Sequence, residues 1–169
     1  VLREDDGVFE YVGGLHNLAL DESIQSVRFM GDRAFITTFR EVDPLFAIDL
    51  SDPAHPESVG HITIPGYTTY MQLIDENHLL TVGRNTPAGT SGPTQVALFD
   101  ISNLLQPIRV AEYTFDRFST SEAQLDHHAF GYYADLGLLA MPVSTDRVER
   151  VDLDGDGYRE TSQTVPDYQ

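Results

Sequence analysis

The sequence of 169 residues contains no cysteine. That absence excludes disulfides, thiolate zinc sites and cysteine nucleophiles, and it leaves the cellular compartment open. Positive charge is scarce: 10 Lys and Arg stand against 27 Asp and Glu, a formal net charge of −17. Binding nucleic acid needs a basic surface that releases counterions, so no nucleic-acid partner is expected. Anionic lipid headgroups are not expected as partners on the same ground. The acidity instead favours solubility and cation binding. No apolar run approaches the length of a membrane span, so no membrane insertion is expected within this segment. No Asn-x-Ser/Thr sequon occurs, since Asn85-Thr86 is followed by Pro87. The first residue is Val1 and not Met, which leads us to expect either processing or a longer parent chain.

What is present is an internal repeat. The run PLFAIDLSDPAHP, residues 44–56, returns as QVALFDISNLLQP, residues 95–107, a shift of 51 positions. Asp49 matches Asp100, Ser51 matches Ser102, Asp52 matches Asn103 and Pro56 matches Pro107. The apolar positions hold as well: Leu45 with Val96, Ala47 with Leu98, Ile48 with Phe99, Leu50 with Ile101. Side chains on a strand alternate between the two faces of its sheet. Here both faces are apolar, so the strand is expected to be buried on both sides, in a sheet stacked between two others. Each copy ends in turn chemistry, because Asp and Asn side chains bond backbone N–H groups two residues on and Pro53 presets φ. A self-similar unit of about 40–50 residues, rich in strand signals, marks the blades of a β-propeller. Helical repeats of similar period need apolar spacing of 3.6, which is absent.

Along the chain, strands are expected at residues 8–12 and at 15–21, the latter as the outer strand of a preceding blade. Residues 26–29, 34–39, 44–50 and 57–64 make one four-stranded meander. Residues 70–74, 78–83, 95–101 and 108–115 make a second, with 84–94 as a Gly-, Pro-, Ser- and Thr-rich exposed loop. Leu104-Leu105 is an apolar pair inside a turn and is expected to plug the neighbouring blade. A third unit starts near Ala123, with strands at 128–133 and 138–143. After Pro142 the strand pattern fails. The expected architecture is therefore all-β: a propeller fragment of about two complete four-stranded blades plus parts of flanking blades, in residues 1–143. Residues 144–169 read as an acidic loop or insertion. Closed propellers need about 4–8 blades, so the remaining blades are expected on a longer parent chain or on partner chains.

These residues also carry a family resemblance. Ser26-Val27-Arg28-Phe29-Met30-Gly31-Asp32-Arg33, then Thr38-Phe39-Arg40, then Val42-Asp43-Pro44-Leu45-Phe46, then Ile48-Asp49-Leu50-Ser51-Asp52-Pro53 resemble the secreted β-propeller domain family of bacteria and archaea. The likeness runs from about Leu15 to Val143. It implies a propeller fold and a secreted or cell-surface location, and it supplies no catalytic residue.

The main chemical candidate is a calcium loop. Asp152, Asp154 and Asp156 occupy positions one, three and five of the loop pattern, Gly157 the turning position six, Tyr158 the carbonyl at seven, and Glu160 position nine. Position twelve is Gln163 and not the bidentate Glu, which removes one charge. The bland reading is a solvated acidic turn. Asp126-His127-His128 invites a second metal reading. On a strand, however, the two His side chains point to opposite faces, so a hydrogen-bonded pair at a strand start is favoured. Arg28, Arg40, Glu41 and Asp43 either line a ligand face or bridge blades. Ser91 lies in Gly-Thr-Ser-Gly, which is not a nucleophile elbow. Tyr67, Tyr70, Tyr132 and Tyr133 divide between core positions and sugar-stacking positions. The function expected from this is a non-catalytic, extracellular propeller scaffold that binds a protein or glycan partner, with Ca²⁺ as its cofactor. The alternative is an extracellular hydrolase of glycosidase type, using Glu41, Asp43 and Asp126 on the propeller face.

Overall fold

The structure is a computed structural model that describes residues 1–39, 43–64, 66–85, 92–151 and 161–168, with backbone alone for 39, 43, 146–151 and 161–168. Two four-stranded antiparallel meanders form its centre. The first contains β3 (Ser23–Met30), β4 (Arg33–Phe39), β5 (Asp43–Asp49) and β6 (Glu57–Ile64), in that spatial order. The second contains β7 (Tyr67–Leu73), β8 (His78–Arg84), β9 (Thr94–Asp100) and β10 (Ile108–Thr114), again in sequence order. Ahead of them lies the hairpin of β1 (Leu2–Asp5) and β2 (Val8–Tyr11). After them come the short pair β11 (Gly131–Tyr133) and β12 (Leu138–Ala140), and the hairpin of β13 (Ser144–Val151) and β14 (Thr161–Tyr168). The chain is all-β, as expected of a propeller fragment.

The repeat in the sequence is a repeat in the ladders. Ala47 stands opposite Gly60, and its equivalent Leu98 stands opposite Ala111; both outer pairings carry a register shift beside that point. The inner pairings shift alike, between Ile24 and Ser26 and between Thr68 and Tyr70. The turns repeat too. Asp49 Oδ1 accepts from Ser51 N at 2.8 Å and Asp52 Oδ1 from Ala54 N at 3.0 Å. In the second blade Asp100 Oδ1 accepts from Ser102 N at 2.8 Å and Asn103 Oδ1 from Leu105 N at 3.1 Å. Side chains that imitate a backbone turn thus fix where each third strand stops.

The core lies between the two meanders. Phe35, Leu45, Ala47 and Ile64 from the first sheet meet Met71, Leu79, Ala97, Phe99 and Ile101 from the second, all buried. Burying one such Leu, Ile or Phe side chain is worth about 1.5–3 kcal/mol, so this face dominates the stability of the pair. The turn after β9 closes the outer end. Leu104 packs on the core, and its carbonyl sits over Gly60 of β6 so closely that a Cβ there would lie 2.0 Å from it. Leu104 is thus the plug expected of the Leu104-Leu105 pair, while Leu105 stays 72% exposed. The preceding turn does the same: a Cβ on Gly13 would meet the carbonyls of Ala54 at 2.3 Å and Pro53 at 2.6 Å.

Three expectations need correction. Residues 15–21 form no strand; Asn17, Ala19 and Asp21 have φ of 60°, 46° and 66°, which extended backbone does not allow. Phe46 of β5 is half-buried, while Leu45, Ala47 and Ile48 are buried, so cover on that strand's second face is incomplete. After Pro142 the strand signal does not end: β13 and β14 pair along their whole length, from Ser144 opposite Tyr168 to Val151 opposite Thr161. They form a sheet of their own and do not extend β11–β12.

Candidate functional site

The inner strands β3 and β7 lie side by side across the blade interface, and Arg28 and Gln72 are equivalent positions on them. Arg28 Nη2 donates to Gln72 Oε1 at 3.0 Å, and Tyr70 Oη donates to the same oxygen at 3.0 Å. Gln72 Nε2 in turn donates to Leu73 O at 2.9 Å. The Phe130 ring packs on Tyr70 at 5.0 Å between centroids. Arg28 therefore links blades through an amide, and not through a carboxylate. Among its sequence neighbours in that proposal, Arg40 and Glu41 lie outside the described residues, and Asp43 is described by its backbone alone as the start of β5.

The third unit docks through a buried amide that sequence reading missed. Gln124 is 9% exposed. Its Nε2 donates to Gly83 O at 3.3 Å and to Thr94 Oγ1 at 3.0 Å, while its Oε1 accepts from Arg84 Nε at 3.2 Å. Arg84 Nη1 also donates to Gly92 O at 2.9 Å. Buried Ser119 accepts from Thr94 N at 2.8 Å. Gln124 ends a one-turn 3₁₀ helix, Glu122–Gln124, capped by Ser121, whose Oγ accepts from Ala123 N. The Ser-x-x-Gln spacing is a capping-box signal, and it was available in the sequence.

Asp126, His127 and His128 follow directly. The strand expected at residues 128–133 begins only at Gly131, as β11. His127–Ala129 is a second 3₁₀ turn, capped by Asp126, so the two imidazoles fall on one side with centroids 3.9 Å apart. The opposite-faces argument therefore fails here. Asp126 Oδ1 accepts from His128 N at 2.9 Å and meets His128 Nδ1 at 2.9 Å. These hydrogen bonds, the backbone one first, hold the Asp126 carboxyl below its usual range. All three residues are exposed. His128 also borders an open hollow of about 490 Å³, with Phe130, Tyr133, Met141 and Pro142. Tyr133 is exposed and Tyr132 half-buried.

The carboxylates of the turns share one chemistry. Asp49 is held low first by the Ser51 backbone N–H, Asp52 first by the His55 side chain, Asp75 first by the Asn77 N–H, and Asp100 first by the Ser102 side chain. His55 and His78 sit at 2.8 Å from Asp52 and Asp75. These pairs are largely exposed, where screening leaves an ion pair little strength. Asp152, Asp154, Asp156, Tyr158 and Glu160 lie outside the described residues, as does Ser91. What is described is the frame of that loop: Val151 and Thr161, its two flanking residues, are paired across β13 and β14.

Comparison with known proteins agrees with this architecture. The model of the family described as Beta propeller domain matches residues 1–166. An uncharacterized protein of Archaeoglobus fulgidus is 42% identical over 137 residues, covering 81% of this chain and 21% of that protein. An uncharacterized protein of Methanocaldococcus jannaschii is 40% identical over 125 residues, covering 74% of this chain and 19% of that protein. The chain thus spans about a fifth of the length of these relatives. No solved structure gives a significant match.

Proposed function

The chain belongs to the beta propeller domain family, and on that premise we propose that it is a non-catalytic extracellular scaffold whose loops present a binding surface to a protein or glycan. The observation that carries this reading is the pair of stacked four-stranded meanders, which leaves the turns at the strand ends exposed. Among the described residues, the carboxylates whose pKa moves all move downward, and each does so because turn N–H groups or neighbouring side chains hydrogen-bond it. A general acid working near neutral pH needs the opposite shift. The chemistry of these side chains goes into fixing turns. Asp126, a candidate acid or base of the hydrolase alternative, is committed to His128 and to a helix cap. The open sides of the two blades call for further blades. Among the described residues no helix is long and apolar enough to cross a membrane. The extracellular assignment is supported by the acidity and by the resemblance to secreted propellers.

The scaffold reading includes a calcium ion at residues 152–160. Asp152, Asp154, Asp156, Glu160 and the Tyr158 carbonyl supply hard oxygen donors, and pairing of Val151 with Thr161 brings the loop's ends together. Calorimetric titration with Ca²⁺ is expected to release or absorb heat with the wild type and none with Asp154→Ala; a flat wild-type trace ends the calcium assignment. For the scaffold role the test is a screen of the longest available parent chain against chromogenic glycosides and esters, with and without chelator. No turnover is expected. Chelator-sensitive turnover would establish the hydrolase instead.

A further inference from the structure

Among the described residues, Asp126, His127 and His128 form the one place where three groups able to ligate a metal converge: their ligand atoms all lie within 4.8 Å of one another. The backbone explains why. A strand would send neighbouring side chains to opposite faces. A 3₁₀ turn has about three residues per turn, so neighbours stand only about 120° apart. In the His127–Ala129 turn that difference lets the two rings meet, with centroids 3.9 Å apart and planes at 36°. Asp126 joins them because it caps the turn. Its Oδ1 accepts from His128 N at 2.9 Å, and His128 Nδ1 lies 2.9 Å from the same oxygen.

The turn is held from both sides. Before it, Asp126 N donates to Glu122 O at 2.8 Å, which ties it to the turn whose Gln124 is buried against the second blade. After it, Phe130 N donates to His127 O at 3.3 Å, and the Phe130 ring packs on Tyr70 of β7. The three side chains themselves are exposed. A fixed backbone carrying solvent-open ligands suits a metal site. The charge is favourable as well. Among the described residues Asp126 pairs with no Lys or Arg, its ion-pair partner being His128. The chain as a whole carries a net charge of −17, which gathers cations. The other Asp–His contacts lack the second imidazole: Asp52 meets a single one, His55, and Asp75 a single one, His78, each at 2.8 Å.

We propose that Asp126, His127 and His128 bind a divalent transition-metal ion of the zinc, nickel or copper class. Two imidazoles with a carboxylate suit these ions, while Ca²⁺ and Mg²⁺ take oxygen donors. Atoms about 2.0–2.2 Å from such an ion stand about 3–3.5 Å from each other, so Asp126 and His128 are already near ligand spacing. The ion takes the place of the proton between Asp126 and His128 Nδ1. The imidazole proton moves to Nε2, and the His128 N–H stays on the carboxylate and orients it. Exposed His127 closes on the ion by side-chain rotation. Three protein ligands leave the ion an open position for water or an outside donor. His128 also lines the hollow beside Phe130, Tyr133 and Met141, which gives such a donor room to approach. The site shares no residue with the calcium loop and does not rest on the scaffold reading.

Calorimetric titration of the chain with Zn²⁺, in excess Ca²⁺ to keep residues 152–160 from contributing, should give one site per chain. His127→Ala and His128→Ala should each weaken binding at least about tenfold. Asp126→Asn should do the same with an unchanged circular dichroism spectrum, because Asn still caps the turn and only the charged ligand is lost. His55→Ala and His78→Ala should bind as the wild type does. Nitrogen-15 spectra of the imidazoles should show Zn²⁺ moving the His127 and His128 ring signals ahead of those of the other four histidines. Three results overturn the proposal: no heat from Zn²⁺ beyond dilution; an affinity unchanged in His128→Ala or in Asp126→Asn; or His55→Ala weakening binding as much as His128→Ala, which marks an adventitious ion only.

Discussion

Replacing Gly60 by Ala tests how the blades are locked together. Gly60 has ordinary extended backbone, so the substitution brings no dihedral strain. Its whole cost is steric. The new methyl would lie 2.0 Å from Leu104 O, 2.9 Å from Leu105 C and 3.0 Å from Leu104 C. Carbon and carbonyl oxygen rest about 3.3 Å apart or more, so the turn must retreat by about 1.3 Å. All three atoms are backbone, and no rotamer change relieves them. The turn is moreover pinned by Asn103 and Asp100. Overpacking of this kind costs about 1–3 kcal/mol, and a backbone neighbour argues for the upper end. Partial withdrawal of Leu104 from the core adds about 1 kcal/mol. Lower entropy of the unfolded chain returns about 0.4–1 kcal/mol. The net expectation is a loss of about 2–3 kcal/mol, or about 4–12 °C in melting temperature for a chain of this size. Urea unfolding of the wild type and Gly60→Ala measures it. Gly131→Ala is the control, since its Cβ would meet nothing closer than 3.4 Å, and it should stay within about 0.5 kcal/mol. A Gly60→Ala variant as stable as the control would refute the turn-on-glycine lock.

Two further expectations follow from the same contacts. Gln124→Ala leaves Gly83 O and the Arg84 guanidinium without their buried partner, which should cost about 2–3 kcal/mol and speed hydrogen exchange in β11 and β12 more than in β4 and β8. Acidification should weaken the fold: the carboxyls of Asp49 and Asp100 are lowered in the folded chain, so their contribution is present above the ordinary aspartate value of the unfolded chain and is lost as pH falls through the folded values. Asp49→Asn with Asp100→Asn should flatten that acid limb of the urea midpoint, and an unchanged slope would exclude these turns as its source.

The centre of the fold was legible because its signals are local and repeated. Residues 44–56 and 95–107 carry both the apolar strand and the Asx turn that ends it, so the limits of β5, β6, β9 and β10 fall within two residues of expectation. The flanks were less legible, for reasons that differ. Thr145, Arg147 and Glu149 alternate with no apolar partner face, so β13 gives no burial signal although its backbone pairs fully with β14. The Leu15–Asp21 run looks apolar enough for a strand, yet its left-handed residues turn the chain. His127 and His128 were read as strand residues because the capping role of Asp126 was not weighed. Gln124 gave no hint of burial, since an amide shows its partners only when distant Gly83 and Thr94 are brought to it.

The claim beneath all of this is that residues 44–50 and 95–101 occupy two stacked sheets, each inside its own meander. Nuclear Overhauser spectroscopy on the isotopically labelled chain reads it directly. The account predicts cross-peaks from the Gly60 α-protons to Leu104 and Leu105, with cross-strand backbone peaks from Leu45 to Thr37 and from Val96 to Val82. Cross-strand backbone peaks between the two repeats themselves, joining β5 to β9 in one sheet, would contradict it.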